Sequence, residues 1–251
     1  MNYIIVTGTS RGIGEAIIRE LIQKDNHLFC ISRKKNMSLI SEANSKGVNL
    51  DYFEYDLNNL CDIDKLMNGI FEKVDMIRAR GIYLINNAGI ISPIKIIDKC
   101  DKYDIIKNIN VNLTAPMLMV SNFIRLAKDI DAEKRIINIS SGAASNPIEG
   151  WSCYCSSKSG LDMFTQCVGQ EEMNKEYPTK IISFAPGIVD TNMQKEIRSS
   201  SEEDFPNLET FIDFKDKGKL KAAKDVAKVI KKVLFDKEFE QGKAVDISDY
   251  I

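Results

Sequence analysis

Tyr154 and Lys158 stand four residues apart in the segment WSCYCSSKSG. On a helix, positions i and i+4 share one face, so the ammonium lies beside the phenol and is expected to favour the phenolate. A tyrosine lowered toward neutral pH can give a proton to a developing alkoxide or take one from an alcohol. Thirteen residues upstream of Tyr154, Ser141 follows the apolar run RIINIS, where its hydroxyl can donate a hydrogen bond to a substrate oxygen. The chain has one histidine, His27, at the start of an expected strand, so no histidine-based acid–base set competes with this one. Six cysteines are present, Cys30, Cys61, Cys100, Cys153, Cys155 and Cys167. Only Cys153 and Cys155 are close, and a C-x-C pair is a poor zinc signature, so the reading is packed reduced thiols and no metal.

A second constellation opens the chain. The apolar run YIIVT leads into Thr7-Gly8-Thr9-Ser10-Arg11-Gly12-Ile13-Gly14, and a helical period follows. Gly8 permits a tight turn, Gly12 lets backbone N–H groups approach a pyrophosphate, and Gly14 lets the helix pack on the strand. The helix N-terminus adds partial positive charge. A dinucleotide is the expected ligand. The second strand ends Ser32-Arg33-Lys34, where an NAD-binding chain would carry an acidic residue for the ribose 2′-hydroxyl. Ser32 can bond a 2′-phosphate, Arg33 can neutralise it, and Arg11 points the same way. NADP(H) is therefore the expected cofactor.

These residues must be positioned by alternating strands and helices. Apolar runs at 3–7, 27–32, 50–55, 82–86, 135–140, 180–185 and 243–247 read as strands. Helical spacing covers 12–24, 38–46, 62–79, 102–128, 151–174 and 222–235. Strands without polar alternation predict a parallel sheet covered on both faces. The fold expected is α/β, a single Rossmann-type doubly wound domain over residues 1–251 with seven parallel strands. Residues 186–218 carry no strong period and are too long for an ordinary loop, so they are read as a lid. A chain of 251 residues buries roughly 70–75% of its unfolded surface and needs no disulfide or metal staple. The net charge of −2 gives no footprint for nucleic acid or for a membrane surface. The first residues lack a signal-peptide pattern, and no apolar stretch approaches the ~20 residues of a spanning helix. A cytoplasmic location is expected.

The motifs TGTSRGIG, Asn86-Asn87-Ala88-Gly89, Ser141, Tyr154-Cys155-Ser156-Ser157-Lys158 and Pro186-Gly187 resemble, in order and spacing, those of the short-chain dehydrogenase/reductase family. The resemblance spans essentially the whole chain. It implies that Asp56 and Leu57 contact adenine, that Asn86, Asn87, Ala88 and Gly89 wall the cofactor cleft, and that Lys158 also bonds the nicotinamide ribose. It further implies that Thr191 and the backbone of Ile188 hold the carboxamide. The family's fourth catalytic residue matches Asn112; Asn108 and Asn110 fit less well. Pro116, four residues on, cannot donate to the Asn112 carbonyl. That carbonyl is expected to hold a water that relays protons to Lys158, with a kink in the helix.

Within the family, longer segments such as INISSGAASNPIEGWSCYCSSKSGLDMFTQCV and GKAVDISDY look most like sepiapterin reductases and bacterial benzil reductases, the latter nearer. The activity implied is NADPH-dependent reduction of a bulky or aromatic carbonyl, foremost an α-diketone. A pterin side-chain carbonyl is the alternative. A nucleotide-sensing protein without turnover is remote, because Ser141, Tyr154, Lys158 and Asn112 are all present. Trp151, Met193 and Phe205 are expected near the substrate, and Asp246 matches the pterin-anchoring aspartate. The partners expected are a small-molecule carbonyl substrate and further copies of the chain, as a homodimer or homotetramer.

Overall fold

Strands apolar at every position need cover on both sides, and the computed structural model, which describes residues Met1–Ile251, supplies it. Seven parallel strands lie in the order β3-β2-β1-β4-β5-β6-β7. They are β1 (Asn2–Thr7), β2 (Asn26–Ser32), β3 (Asn49–Glu54), β4 (Gly81–Asn86), β5 (Glu133–Ile139), β6 (Lys180–Ala185) and β7 (Lys243–Asp246). Side chains alternate between faces. Ile4 and Val6 of β1 pack on α1 (Gly12–Leu21), α2 (Met37–Ser45) and α9 (Ala223–Leu234). Tyr3 and Ile5 pack on α3 (Ile63–Phe71), α5 (Ala115–Ala127) and α6 (Ser152–Glu172). Each isoleucine or leucine buried completely in these layers contributes about 1.5–3 kcal/mol.

Helix ends are closed by local chemistry. Asn36 caps α2 by accepting from the Ser38 and Leu39 amides, and Asp101 caps α4 (Lys102–Ile109) by accepting from Tyr103. Two adjacent β5 residues close helix C-termini on opposite faces of the sheet. Buried Lys134 donates to the carbonyls of Ala127 and Ile130, and buried Arg135 donates to those of Leu234 and Asp236.

Three expected elements change. The helix expected over 62–79 stops at Phe71, and turns follow. The helix expected over 102–128 is broken by a π turn at Asn110–Thr114, in which the Ala115 amide donates to the Asn110 carbonyl. Pro116, without an N–H, removes the ordinary i+4 donor for Asn112, which is the local reason for wide winding here. Residues 186–218 are not structureless: they hold α7 (Asn192–Arg198) and α8 (Leu208–Asp216). Ile197, Leu208 and Phe211 are buried with Trp151 and Phe205, and Met193, Ile212 and Phe214 pack against that cluster.

Candidate active site

In an open parallel sheet, ligands meet the carboxyl ends of the strands where the strand order reverses. Here that point lies between β1 and β4. A cleft of about 420 Å³ opens there, lined by Gly8, Ser10, Arg11, Gly12, Ile13, Ser32, Arg33, Asp56, Leu57, Asn87, Ala88, Gly89 and Thr191 among others. The sheet thus gathers residues expected to hold the cofactor from five separate segments into one cleft.

The turn after β1 is tightly built. Gly8 and Gly12 have φ of +74° and +63°, conformations that L side chains rarely adopt. A Cβ on Gly14 would fall 2.3 Å from the Gly8 carbonyl oxygen. Thr7 Oγ1 accepts from the amides of both Asn87 and Ala88, each at 3.0 Å, and Asn87 Nδ2 donates to the Thr7 carbonyl at 2.9 Å. The end of β4 is thereby fixed to the glycine turn. Arg11 occupies the N-cap of α1 with no side-chain cap hydrogen bond, so the first amides of the helix remain donors for an anion. The residues present fit a dinucleotide. Asn86, by contrast, does not wall the cleft: it is buried and donates to Asn138 Oδ1, because strand alternation turns it into the sheet layer.

A second cavity of about 480 Å³ adjoins the first, sharing Ile13, Thr191 and Met193 with it. Ser141, Trp151, Tyr154, Pro186, Gly187, Ile188 and Asp246 line it, with apolar Ile91, Ala143, Val189, Ile197, Phe211 and Phe214. Trp151 lies edge-on to Tyr154, with ring centroids 5.7 Å apart, and stacks on Phe205 at 5.1 Å. Trp151 thus both packs in the core and faces the cavity. Phe205 does not line the cavity as expected; it is wholly buried behind Trp151.

Tyr154 and Lys158 share one face of α6, as their spacing requires, with the ammonium 5.8 Å from the phenol ring centroid. Burial acts against the expected effect on the phenol. Burial pushes Tyr154 up to about 12, opposed only by its hydrogen bond with Ser141. Burial also pushes Lys158 down to about 8, partly offset by Asp162. In a desolvated pocket both charged forms are disfavoured, and an ammonium 5.8 Å away does not reverse that for the phenol. Lys158 Nζ donates to the Ile139 carbonyl at 2.8 Å and lies 3.7 Å from where a Gly89 Cβ would stand, on the cofactor side of the site.

Asn112 is buried beneath the loop that follows β4. Its Oδ1 accepts from the Ile90 amide at 2.9 Å, and its Nδ2 donates to the Ile90 carbonyl at 2.8 Å, to Asn108 Oδ1 at 3.1 Å and to Ser157 Oγ at 3.3 Å. The π turn therefore delivers Asn112 as a clamp on the 89–92 loop. Asn108 extends the clamp by donating to the Ser92 carbonyl. Asn108, weighed in the sequence as a poorer match than Asn112, joins it in the clamp, and Thr7 and Ser157, present in the quoted motifs, take supporting roles that the sequence did not assign. Asp246 lines the cavity, but its carboxylate accepts from the Ser248 amide and hydroxyl and caps the last turn of the chain.

This strand order and a glycine turn at the switch point define a dinucleotide-binding α/β fold. The short chain dehydrogenase family model matches residues 2–202, and the chain belongs to that family of nicotinamide-dependent oxidoreductases. It is 43% identical to benzil reductase ((S)-benzoin forming) of Bacillus cereus over 249 residues, 99% of this chain and 100% of that protein. Sepiapterin reductase of Bos taurus is more distant, 27% identical over 259 residues, 98% of this chain and 94% of that one. Among solved structures, the KRED1-Pglu enzyme superposes with a TM-score of 0.84 at 25% identity, covering 98% of this chain and 100% of that chain. No helix is long and apolar enough to cross a membrane.

Proposed function

We propose that the chain is an NADPH-dependent carbonyl reductase of bulky or aromatic carbonyls, foremost α-diketones such as benzil. The observation that carries this is the largely apolar second cavity, with Ser141 and Tyr154 on its wall and the cofactor cleft beside it. The reduced cofactor supplies the hydride. Ser141 holds the carbonyl oxygen, and Tyr154, protonated at neutral pH, gives the proton that completes the alcohol. Lys158 holds the nicotinamide ribose, Asn112 holds the loop beside it, and Thr191 with Ile188 orients the carboxamide. Residues 1–251 act as one unit, with 186–218 as the lid and Met193 at the junction of the two cavities.

The similarity to a protein named benzil reductase supports the diketone reading. Asp246 bonds Ser248 through Oδ1 only and lines the cavity, so a pterin side-chain carbonyl is the alternative substrate. Exposed Tyr103, Ile106, Met117 and Met163, on the helices flanking the site, support a homodimer or homotetramer. Six unpaired cysteines fit a reducing, cytoplasmic setting. The test is a panel of benzil, aliphatic diketones, sepiapterin and monoketones with NADPH. Benzil should give the highest kcat/KM; sepiapterin outrunning it would overturn the assignment.

Two further outcomes are expected. Arg33 is exposed on the rim of the cleft beside Ser32. Arg33→Ala should raise KM for NADPH roughly tenfold or more, the size of a lost charge-assisted hydrogen bond, with little change for NADH. Equal changes for both would remove the phosphate contact. The second outcome concerns pH. The kcat/KM for the reduced cofactor reports groups of the free enzyme. It should fall as pH rises through about 8, where Lys158 loses its charge, while Tyr154 stays protonated up to about 12. Lys158→Arg remains charged and should lose that limb whatever its absolute rate. A wild-type profile flat to pH 10 would sink the assignment.

A further inference from the structure

Behind the rim of the cofactor cleft, three hydroxyls and one carbonyl form a closed set. Ser32, at the end of β2, lines the cleft; Tyr52, beside it on β3, does not. Ser32 Oγ lies 2.5 Å from the Tyr52 hydroxyl and 2.9 Å from the Lys34 carbonyl oxygen. The Tyr52 hydroxyl lies 3.1 Å from the same carbonyl. Thr9, fully buried in the glycine turn, donates to the Tyr52 oxygen at 3.1 Å.

We infer that Tyr52 is a positioning residue for the cofactor's 2′-phosphate, acting through Ser32. The inference rests on the NADP reading above and follows from counting protons. Each hydroxyl has one to give. With the Thr9 proton on Tyr52, two arrangements decide what Ser32 offers the cleft. In one, Tyr52 donates to Ser32 and Ser32 donates to the Lys34 carbonyl, so Ser32 offers the cleft only a lone pair. In the other, Tyr52 donates to the Lys34 carbonyl, Ser32 is released to donate into the cleft, and the two hydroxyl oxygens, with no proton between them, move apart from their 2.5 Å contact. A phosphate carries acceptor oxygens and strong negative charge, so it selects the second arrangement. The Thr9 bond polarises the Tyr52 hydroxyl and strengthens its hold on the carbonyl. Without the Tyr52 hydroxyl, the single Ser32 proton must choose between Lys34 and the phosphate.

A ribose 2′-hydroxyl is both donor and acceptor. It pairs with Ser32 in either arrangement, so an unphosphorylated cofactor does not sense which one holds. Tyr52 therefore acts on the choice between cofactors and not on binding in general.

The experiment is calorimetric titration of the full-length wild type, Tyr52→Phe, Ser32→Ala and the double variant with NADP+ and with NAD+. Tyr52→Phe should weaken NADP+ roughly tenfold, the size of one hydrogen bond to a charged group, and NAD+ less than about twofold. In the Ser32→Ala background, Tyr52→Phe should have no further effect on either. Equal weakening of both cofactors, no weakening of either, or an undiminished Tyr52→Phe effect without Ser32 overturns the inference while leaving the NADP reading intact. A wild type that binds NAD+ as tightly as NADP+ overturns both. Thermal denaturation of each variant identifies a purely structural loss, which would lower both affinities together.

Discussion

Replacing Tyr154 by phenylalanine should lower kcat for carbonyl reduction by a factor on the order of 10²–10⁴, the usual contribution of a positioned general acid. The ring stays where Trp151 packs edge-on against it at 5.7 Å. Only the hydroxyl leaves, and with it the hydrogen bond to Ser141 and the proton bound for the substrate oxygen. The cofactor residues of the glycine turn lie in the adjoining cleft and are untouched, so the calorimetric affinity for NADPH should hold within about twofold. Single-turnover reduction of benzil separates the chemical step from binding. The reverse reaction needs the phenolate, and burial makes that form scarce at neutral pH, so alcohol oxidation should climb with pH where reduction does not. A Tyr154→Phe enzyme that keeps its rate would remove the phenol from the chemistry.

The second large effect is expected at Gly14. An alanine Cβ there would stand 2.3 Å from the Gly8 carbonyl oxygen and 2.5 Å from Asn87 Nδ2. Neither neighbour is free to yield. Gly8 is tied to β2 by its amide bond to the Ile31 carbonyl at 2.8 Å, and Asn87 Nδ2 holds the Thr7 carbonyl. Either α1 moves off β1 or the turn opens. Overpacking of this kind costs about 1–3 kcal/mol, which is roughly five- to more than hundredfold in an equilibrium constant. Gly14→Ala should therefore lose affinity for both NADP+ and NAD+, and should unfold at lower temperature. The comparison is Gly69→Ala, inside α3, where nothing lies within 4 Å of the new Cβ. That change should be neutral or stabilise by up to about 1 kcal/mol through helix propensity. Wild-type cofactor affinity in Gly14→Ala would mean that close packing at the turn is not what shapes the cleft.

The seven-stranded parallel sheet was legible because strands buried on both faces leave uninterrupted apolar runs, as at Ile4-Ile5-Val6 and Ile136-Ile137. The cofactor cleft was legible because glycines at fixed spacing carry backbone information. What escaped depends on tertiary surroundings. Spacing placed Lys158 beside Tyr154, but not the desolvation that opposes both charges. It identified Pro116 as a disruption, but not that the chain answers with a π turn that aims Asn112 at Ile90. The two helices over 192–216 escaped because they are short, seven and nine residues, and interrupted by a charged, Ser-rich stretch. Tyr52 looked like any β-strand aromatic, since its neighbours Thr9 and Ser32 are distant in sequence.

The stacked pair of Trp151 and Phe205 has a consequence for optical spectroscopy. Trp151 is the chain's only tryptophan, and it is almost completely buried between the phenol of Tyr154 and the segment joining α7 to α8. All indole emission from this protein therefore originates at the wall of the second cavity. A lid that opens by even a few ångströms exposes that ring to water and shifts its emission to the red. An aromatic diketone seated in the cavity would quench the emission, and nicotinamide reduced at the adjoining cleft would accept energy from it. The protein thus carries one intrinsic optical probe between the second cavity and the 192–216 helices, with no second indole elsewhere to dilute the signal.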